Sequence, residues 1–230
     1  MNSLLIIGQT FPEPTTTAAG VRMLQLIEMF TSHEYGITFA SSASSSEKSF
    51  HLNSIGVATQ QIAINDSSFD DFVRQLNPTL VLFDRFITEE QFAWRVTQSC
   101  PKSLKILDTE DLHFLRKARQ QSLKDATDVK DANLFTENAK REIASILRCD
   151  LSLIISEFEM ELLTSTFAVS KEILYYLPFM ISELPDSVNF PGFKQRANFM
   201  TIGNFLHEPN LDSVLYLKNE IWPLIKKQLP

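Results

Sequence analysis

Short, nearly continuous apolar runs alternate along this chain with longer stretches in which apolar residues recur at helical spacing. Runs of the first kind predict strands at Leu4 to Ile7, Ile37 to Ala40, Gln61 to Ile64, Leu80 to Phe83, Lys105 to Leu107, Ser152 to Ile155 and Glu172 to Tyr175. Strands that are apolar throughout, rather than alternating, are covered on both faces, and such strands separated by helices predict a doubly wound, parallel α/β sheet of Rossmann-like type.

Turn and capping residues punctuate the pattern. Asp66, Ser67 and Ser68 predict the start of a helix that runs through Leu76, and Thr88 with Glu89 and Glu90 predicts another helix start, where carboxylates favour the N-terminal dipole. The stretch from Asp111 to Arg148 is long and charged. It reads as one helix from about Leu112 and a second through Glu137, Arg141 and Ile146, with Glu137 and Arg141 paired one turn apart. Ser41 to Ser49 reads as a mobile serine-rich loop. Pro178, Pro185, Pro191 and Gly192 mark a connection over 178–196, separating a domain over 1–177 from a smaller unit over 197–230. In that unit a strand through Phe199 to Ile202, a turn at Gly203-Asn204 and a helix opening near Pro209 are expected. One strand and one helix cannot bury both faces, so the unit must dock, self-associate or await further sequence.

Composition narrows the partners. With 44% apolar residues the 230-residue chain can fill a core, and 28 acidic against 21 basic residues give a net charge of −7, which disfavours nucleic acid. No apolar run approaches the roughly 20 residues of a membrane helix, so a soluble, cytoplasmic protein is expected. Cys100 and Cys149 sit beside apolar segments and read as reduced core thiols. The four histidines never fall at metal-ligand spacing, so no metal is expected.

Two segments carry candidate chemistry. Phe11-Pro-Glu-Pro-Thr-Thr-Thr-Ala-Ala-Gly-Val-Arg22 follows the first strand directly. Its small residues, Ala19 and Gly20, suit close approach of backbone to a ligand, and the helix it opens presents free N–H groups that suit phosphate. Ile106-Leu-Asp-Thr-Glu-Asp-Leu-His-Phe-Leu-Arg116 begins at a strand's carboxyl end, where open α/β sheets place ligands. Asp108, Glu110, Asp111, His113 and Arg116 are concentrated there. A carboxylate such as Asp111 beside the His113 imidazole orients it and tunes it toward neutral pH, giving a sugar hydroxyl an acceptor for its proton.

Together with Phe199-Met-Thr-Ile-Gly-Asn-Phe-Leu-His-Glu-Pro-Asn-Leu-Asp212 and Glu220-Ile-Trp-Pro-Leu-Ile-Lys-Lys-Gln-Leu-Pro230, which look like the truncated start of a second Rossmann-like (donor) domain over 197–230, these segments resemble GT-B glycosyltransferases of the family-4 type, over essentially the whole chain. The resemblance implies the acceptor-side half of a retaining, metal-independent transferase that needs no cofactor. It implies His113 and Asp111 as catalytic residues, and Ala19, Gly20, Arg22, Asp108, Glu110, Arg116 and Glu157 as substrate-binding ones. Ile155-Ser-Glu-Phe-Glu-Met-Glu161 and Phe83-Asp-Arg-Phe86 resemble further cleft-lining positions, against the simpler reading of helix caps and surface acids. The implied partners are a nucleotide-sugar donor, bound weakly or not at all by this chain alone, and a glycan or lipid-linked acceptor. The family's donor motif, two glutamates separated by seven residues, has no counterpart here, so the donor half is expected to be lost or supplied separately; a C-terminal-half partner or a homo-oligomer is the expected association.

Three alternatives stay open. Asp108-Thr-Glu110 could serve as a GT-A-type metal-holding motif, although that leaves the third segment without a role. The chain could instead be a non-catalytic binding or scaffolding module whose C-terminal helix docks through Trp222. Arg116, Lys117, Arg119 and Lys124 could add peripheral attachment at the inner membrane face, against the simpler reading of a solvated helix face.

Overall fold

The structure, a computed structural model, describes residues 2–181 and 190–229. It divides into two compact units, Met1–Met180 and Ile181–Pro230. Residues 182–189 of the expected 178–196 connection, Pro185 among them, lie outside the described residues.

In the first unit the elements follow one another as β1 (Ser3–Gly8), α1 (Ala18–Ser32), β2 (Gly36–Ser41), β3 (Ala58–Gln61), α2 (Ser68–Leu76), β4 (Leu80–Asp84), α3 (Arg85–Ser99), β5 (Leu104–Asp108), α4 (His113–Lys124), α5 (Glu137–Arg148), β6 (Leu151–Ile154), α6 (Glu157–Ser165) and β7 (Leu174–Tyr176). All seven strands are parallel, in the order β3-β2-β1-β4-β5-β6-β7. The order reverses between β1 and β4, which pair from Leu4↔Leu80 to Ile7↔Phe83. The loops leaving these two neighbours diverge to opposite faces, and the crevice between them is where open sheets take ligands.

Alternate residues of the central strands feed two cores, as the apolar runs predict. Leu5, Ile7, Val81, Phe83, Leu107 and Ile154 pack on one face with α2, α3 and α5, through residues such as Phe69, Phe92 and Ile146. Leu4, Ile6, Phe39, Leu82, Ile106 and Leu153 pack on the other with Met23, Leu26 and Ile27 of α1. Cys100 and Cys149 are free and buried.

Several local expectations shift. β3 ends at Gln61 rather than beginning there. Its four residues are exposed, and Ile62 enters the core just past the strand, its N–H bonded to the Ser41 carbonyl. α3 opens at Arg85, directly out of β4, so Thr88 lies inside the helix and donates to the Asp84 carbonyl at 2.9 Å. Glu89 and Glu90 then tie α3 to α5 through Arg148 and Arg141. That engagement takes Arg141 away from Glu137, which pairs with Lys140 instead.

α4 and α5 run antiparallel: His113 N–H meets Glu142, while one turn further on Lys117 meets Asn138. α5 returns the chain to the start of β6, so α4 advances away from the carboxyl edge of the sheet. The two helices form a hairpin whose base, through Phe114, Leu115 and Ile146, packs into the core on the α3 side of the sheet.

In the second unit, α7 (Glu208–Tyr216) continues through a π-helical turn (Leu217–Ile221) into α8 (Trp222–Gln228). Phe199 to Ile202 is not a strand, contrary to expectation. A strand exists only through ladder hydrogen bonds, and no strand pairs with this segment among the described residues. Phe199 instead lies edge-on to Trp222, ring centroids 5.5 Å apart. No helix among the described residues is long and apolar enough to cross a membrane.

Candidate functional site

The loop from Gln9 to Thr17 folds back over the start of α1. The Glu13 carbonyl accepts from the N–H groups of Thr16 and Thr17, and Thr17 caps α1 by accepting from Gly20 N–H at 2.9 Å. The close approach that Gly20 permits is that of the loop itself, because a Cβ there would stand 2.5–2.6 Å from backbone atoms of Glu13. Gly20 is buried and Ala19 half-buried, and both line the cleft at the reversal of strand order, so the missing side chain at Gly20 serves the packing of the loop as well as the cleft wall.

For Arg22 and Asp108 the expectation of substrate contact is corrected. Both are fully buried and satisfy each other: Arg22 Nε donates to both carboxylate oxygens at 3.0 Å and Nη2 to Oδ1 at 2.8 Å. Arg22 Nη1 closes the arrangement on the Leu177 carbonyl at 3.0 Å. Neither side chain has surface left for substrate.

A cleft of about 140 Å³ remains at the reversal of strand order. Thr10 to Glu13, Thr17 and Ala19 wall one side; Asp84, Arg85 and Glu110, from the ends of β4 and β5, wall the other. Arg85 Nε donates to Glu110 Oε2 at 2.5 Å and Nη1 to Gln9 Oε1 at 2.8 Å, while Asp84 Oδ2 accepts from Gln9 N–H at 3.0 Å. Burial, with the Asp84 charge beside it, pushes the Glu110 carboxyl above the usual carboxylate range against the pull of Arg85. Glu13, on the opposite wall, is held below its ordinary value by hydrogen bonds from Ser46 and Thr16.

His113 opens α4, three residues beyond Glu110 of the cleft wall, and is not itself among the residues that line the cleft. Its Nε2 lies 3.1 Å from Asp111 Oδ1, its side chain is 13% exposed, and its ring meets Phe86 edge-on. Asp111 also accepts from Arg116 Nε at 2.7 Å. Burial raises the Asp111 carboxyl, but the bonds from His113 and Arg116 prevail and hold it down at about 2. The arrangement is an imidazole oriented by a carboxylate whose titration is held low, with Arg116 beside it. Glu157 stands exposed at the start of α6 and makes none of these contacts.

Glu142, which sequence reasoning passed over, and Glu159, visible only within the Ile155 to Glu161 run, fix this geometry. Glu142 of α5 accepts from the N–H groups of His113 and Phe114 at 3.1 and 2.9 Å, and Glu159 of α6 from Leu112 N–H at 3.0 Å. They cap a helix that lacks a side-chain cap of its own, from positions 28 to 47 residues away. Arg85 was visible only as part of Phe83-Asp-Arg-Phe86. Its backbone φ of 70°, rare for a residue with a side chain, was not readable from composition. A second, wider hollow of about 630 Å³ lies between α4 and the start of α5, lined by polar residues including Gln121, Asn133 and Asn138. Among the described residues no cluster of side chains could hold a metal ion.

No protein-family model matches the chain, and no curated protein matches it in sequence. Solved structures do match in fold. Sucrose-phosphate synthase from Thermosynechococcus elongatus aligns with a TM-score of 0.56 at 12% identity, over 77% of this chain and 48% of that one. The lipopolysaccharide outer core galactosyltransferase WaaB, in its apo form, aligns with a TM-score of 0.51 at 14% identity, over 81% and 50%. The class this defines is a GT-B glycosyltransferase-like fold over part of the chain. Within that class the seven-stranded parallel sheet with flanking helices corresponds to the N-terminal domain, and the chain spans about half the length of the solved chains it matches.

Proposed function

We propose that this chain is the acceptor-binding half of a glycosyltransferase that moves a sugar from a nucleotide-sugar to a hydroxyl, and that it does not complete the transfer alone. The carrying observation is the place of the polar cleft: it opens at the reversal of strand order, and the segment after β5 that supplies Glu110 to its wall also carries the imidazole oriented by Asp111. In this reading His113 accepts the proton of the acceptor hydroxyl while the anomeric bond to the donor's diphosphate breaks. The acceptor is a glycan or lipid-linked sugar. The cleft is small against the roughly 300–1,000 Å³ of drug-sized ligand sites, so it has room for one ring or one phosphate and none for a whole nucleotide-sugar.

Titration calorimetry of the 230-residue chain with UDP-glucose and GDP-mannose tests the division of labour. Heats too weak to fit are expected. Micromolar affinity for either would place the donor site on this chain and overturn the assignment to the acceptor side.

A second reading, a non-catalytic module that pairs through its C-terminal helix, is favoured by the exposure of Met200, Ile202 and Leu206, each about nine-tenths exposed. Size-exclusion chromatography with and without the residues beyond Arg196 separates it: loss of a larger species on truncation supports pairing, and an unchanged monomer removes it.

A further inference from the structure

Arg85 and Glu110 are held in the left-handed backbone region, at φ 70° and 60°, although neither is glycine. Such conformations cost on the order of 1–3 kcal/mol each and persist where surrounding contacts impose them, most often at ligand sites. Here the two strained residues face each other across neighbouring strand ends and are joined by the 2.5 Å contact between Arg85 Nε and Glu110 Oε2. Gln9, from the third strand end, binds both Arg85 and Asp84. Asp84 is 4% exposed and its Oδ1 makes no hydrogen bond; the nearest cation, Arg85 Nε at 3.3 Å, is already committed to Glu110. Three strand ends are therefore cross-linked by a polar cluster with bonding capacity in excess of its internal partners.

The balance of charge selects the ligand. Asp84, Glu110 and Glu13 set three carboxyl groups around the cleft against the single guanidinium of Arg85, which two of those carboxyls already hold. A phosphate entering there meets more anionic than cationic partners, and the Glu13 carbonyl and the Thr17 hydroxyl already occupy N–H groups at the start of α1. A neutral hydroxyl suits the site, since it donates to a carboxylate and accepts from a guanidinium at once. Phe11 on the same wall offers an apolar flank to a ring.

We infer that the Gln9, Asp84, Arg85 and Glu110 cluster is a subsite for one neutral, polyhydroxylated ring, a sugar or cyclic polyol, and not a phosphate-binding loop. This rests on the glycosyltransferase reading above and names the class of ligand its cleft takes. The raised Glu110 carboxyl is consistent with it, because a protonated carboxyl both donates and accepts.

Saturation-transfer NMR on the full chain tests the inference with glucose, galactose, mannose, N-acetylglucosamine and myo-inositol, and with phosphorus-detected titrations of inorganic phosphate and diphosphate. At least one neutral ring should bind, and diphosphate should not displace it. Its affinity should fall about tenfold or more in Arg85→Ala, the loss expected for one hydrogen bond to a charged group, and several-fold in Glu110→Ala, which removes a donor and an acceptor from the site. Arg85→Lys, which keeps the charge and loses the fork, should fall between, and amide fingerprint spectra check that each variant is folded. Binding of diphosphate that disappears in Arg85→Ala overturns the inference and leaves the wider reading standing, with the cleft reassigned to the donor. No binding by any neutral ring also overturns it; if a chain fused to a donor-binding half then shows no transfer either, the wider reading falls with it.

Discussion

The guanidinium of Arg22 and the carboxylate of Asp108 are joined by three contacts of 2.8–3.0 Å, and neither group reaches solvent. The pair fastens the second turn of α1 to the end of β5.

Breaking this pair from one side leaves a charge buried without its partner. Arg22→Ala or Asp108→Ala should each cost about 3–5 kcal/mol, whereas Arg22→Met combined with Asp108→Leu should recover a large part of that loss. Urea unfolding of the three variants measures it. Equal losses in the single and double variants would show that packing of α1, and not the charge pair, sets the cost.

Gly20→Ala should displace the loop over α1, because the added methyl carbon would stand 2.5–2.6 Å from Glu13 backbone atoms that cannot swing aside as a side chain does. A loss of about 1–3 kcal/mol is expected, typical of overpacking. Amide shifts should concentrate between Thr10 and Thr17. Unchanged stability and spectra would leave Gly20 only its place on the cleft wall.

Glu142 predicts a pH dependence of defined sign. Burial raises its carboxyl from 4.5 to about 7, with the charges of Asp111 and Glu159 adding to the rise and the N–H groups of Phe114 and His113 opposing it. The folded state therefore holds a proton that the unfolded state has released, so the stabilising contribution is full below about pH 4.5 and is lost as pH rises through 7. For a carboxyl 1% exposed the difference is on the order of 3 kcal/mol. Glu142→Gln removes that proton equilibrium and keeps an acceptor for the helix, so its stability relative to the parent should improve between pH 5 and pH 8. A gap between the two proteins that does not change with pH would mean that Glu142 is ionised throughout.

His113→Ala removes one hydrogen bond and a ring contact at a partly exposed position, so a loss of about 1 kcal/mol or less is expected. In a chain fused to a donor-binding half, turnover should fall on the order of 10² to 10⁴ fold, the contribution of a positioned acid or base. A loss of several kcal/mol in stability with turnover unchanged would make His113 a packing residue.

The sheet was legible because buried parallel strands announce themselves as apolar runs: Leu4 to Ile7 and Leu80 to Phe83 could hardly be anything else. Phe199 to Ile202 has the same character without a strand beside it, and a strand needs a neighbour that local sequence does not supply. The segment from Asp108 to Arg116 was legible as a polar concentration at a strand end. Its division of labour was not: the sequence shows five charged or titratable side chains, and only the fold turns Asp108 inward to Arg22 while leaving Asp111 beside His113. The caps supplied by Glu142 and Glu159 were invisible for the same reason, since their partners are remote in the chain.

The antiparallel course of α4 and α5 has a consequence for how this protein can diversify. The crossover from β5 to β6 is closed by α5, and the cores on either face of the sheet draw little from the tip of the hairpin, whose residues from Lys124 to Asp131 are largely exposed. That tip also borders the polar hollow that runs past Gln121 and Asn133. Insertions, deletions and exchanges there are insulated from the folding of the sheet, so the region is a replaceable cassette: a new recognition surface could be grafted onto an unchanged scaffold, and relatives with the same strands would differ first at this point.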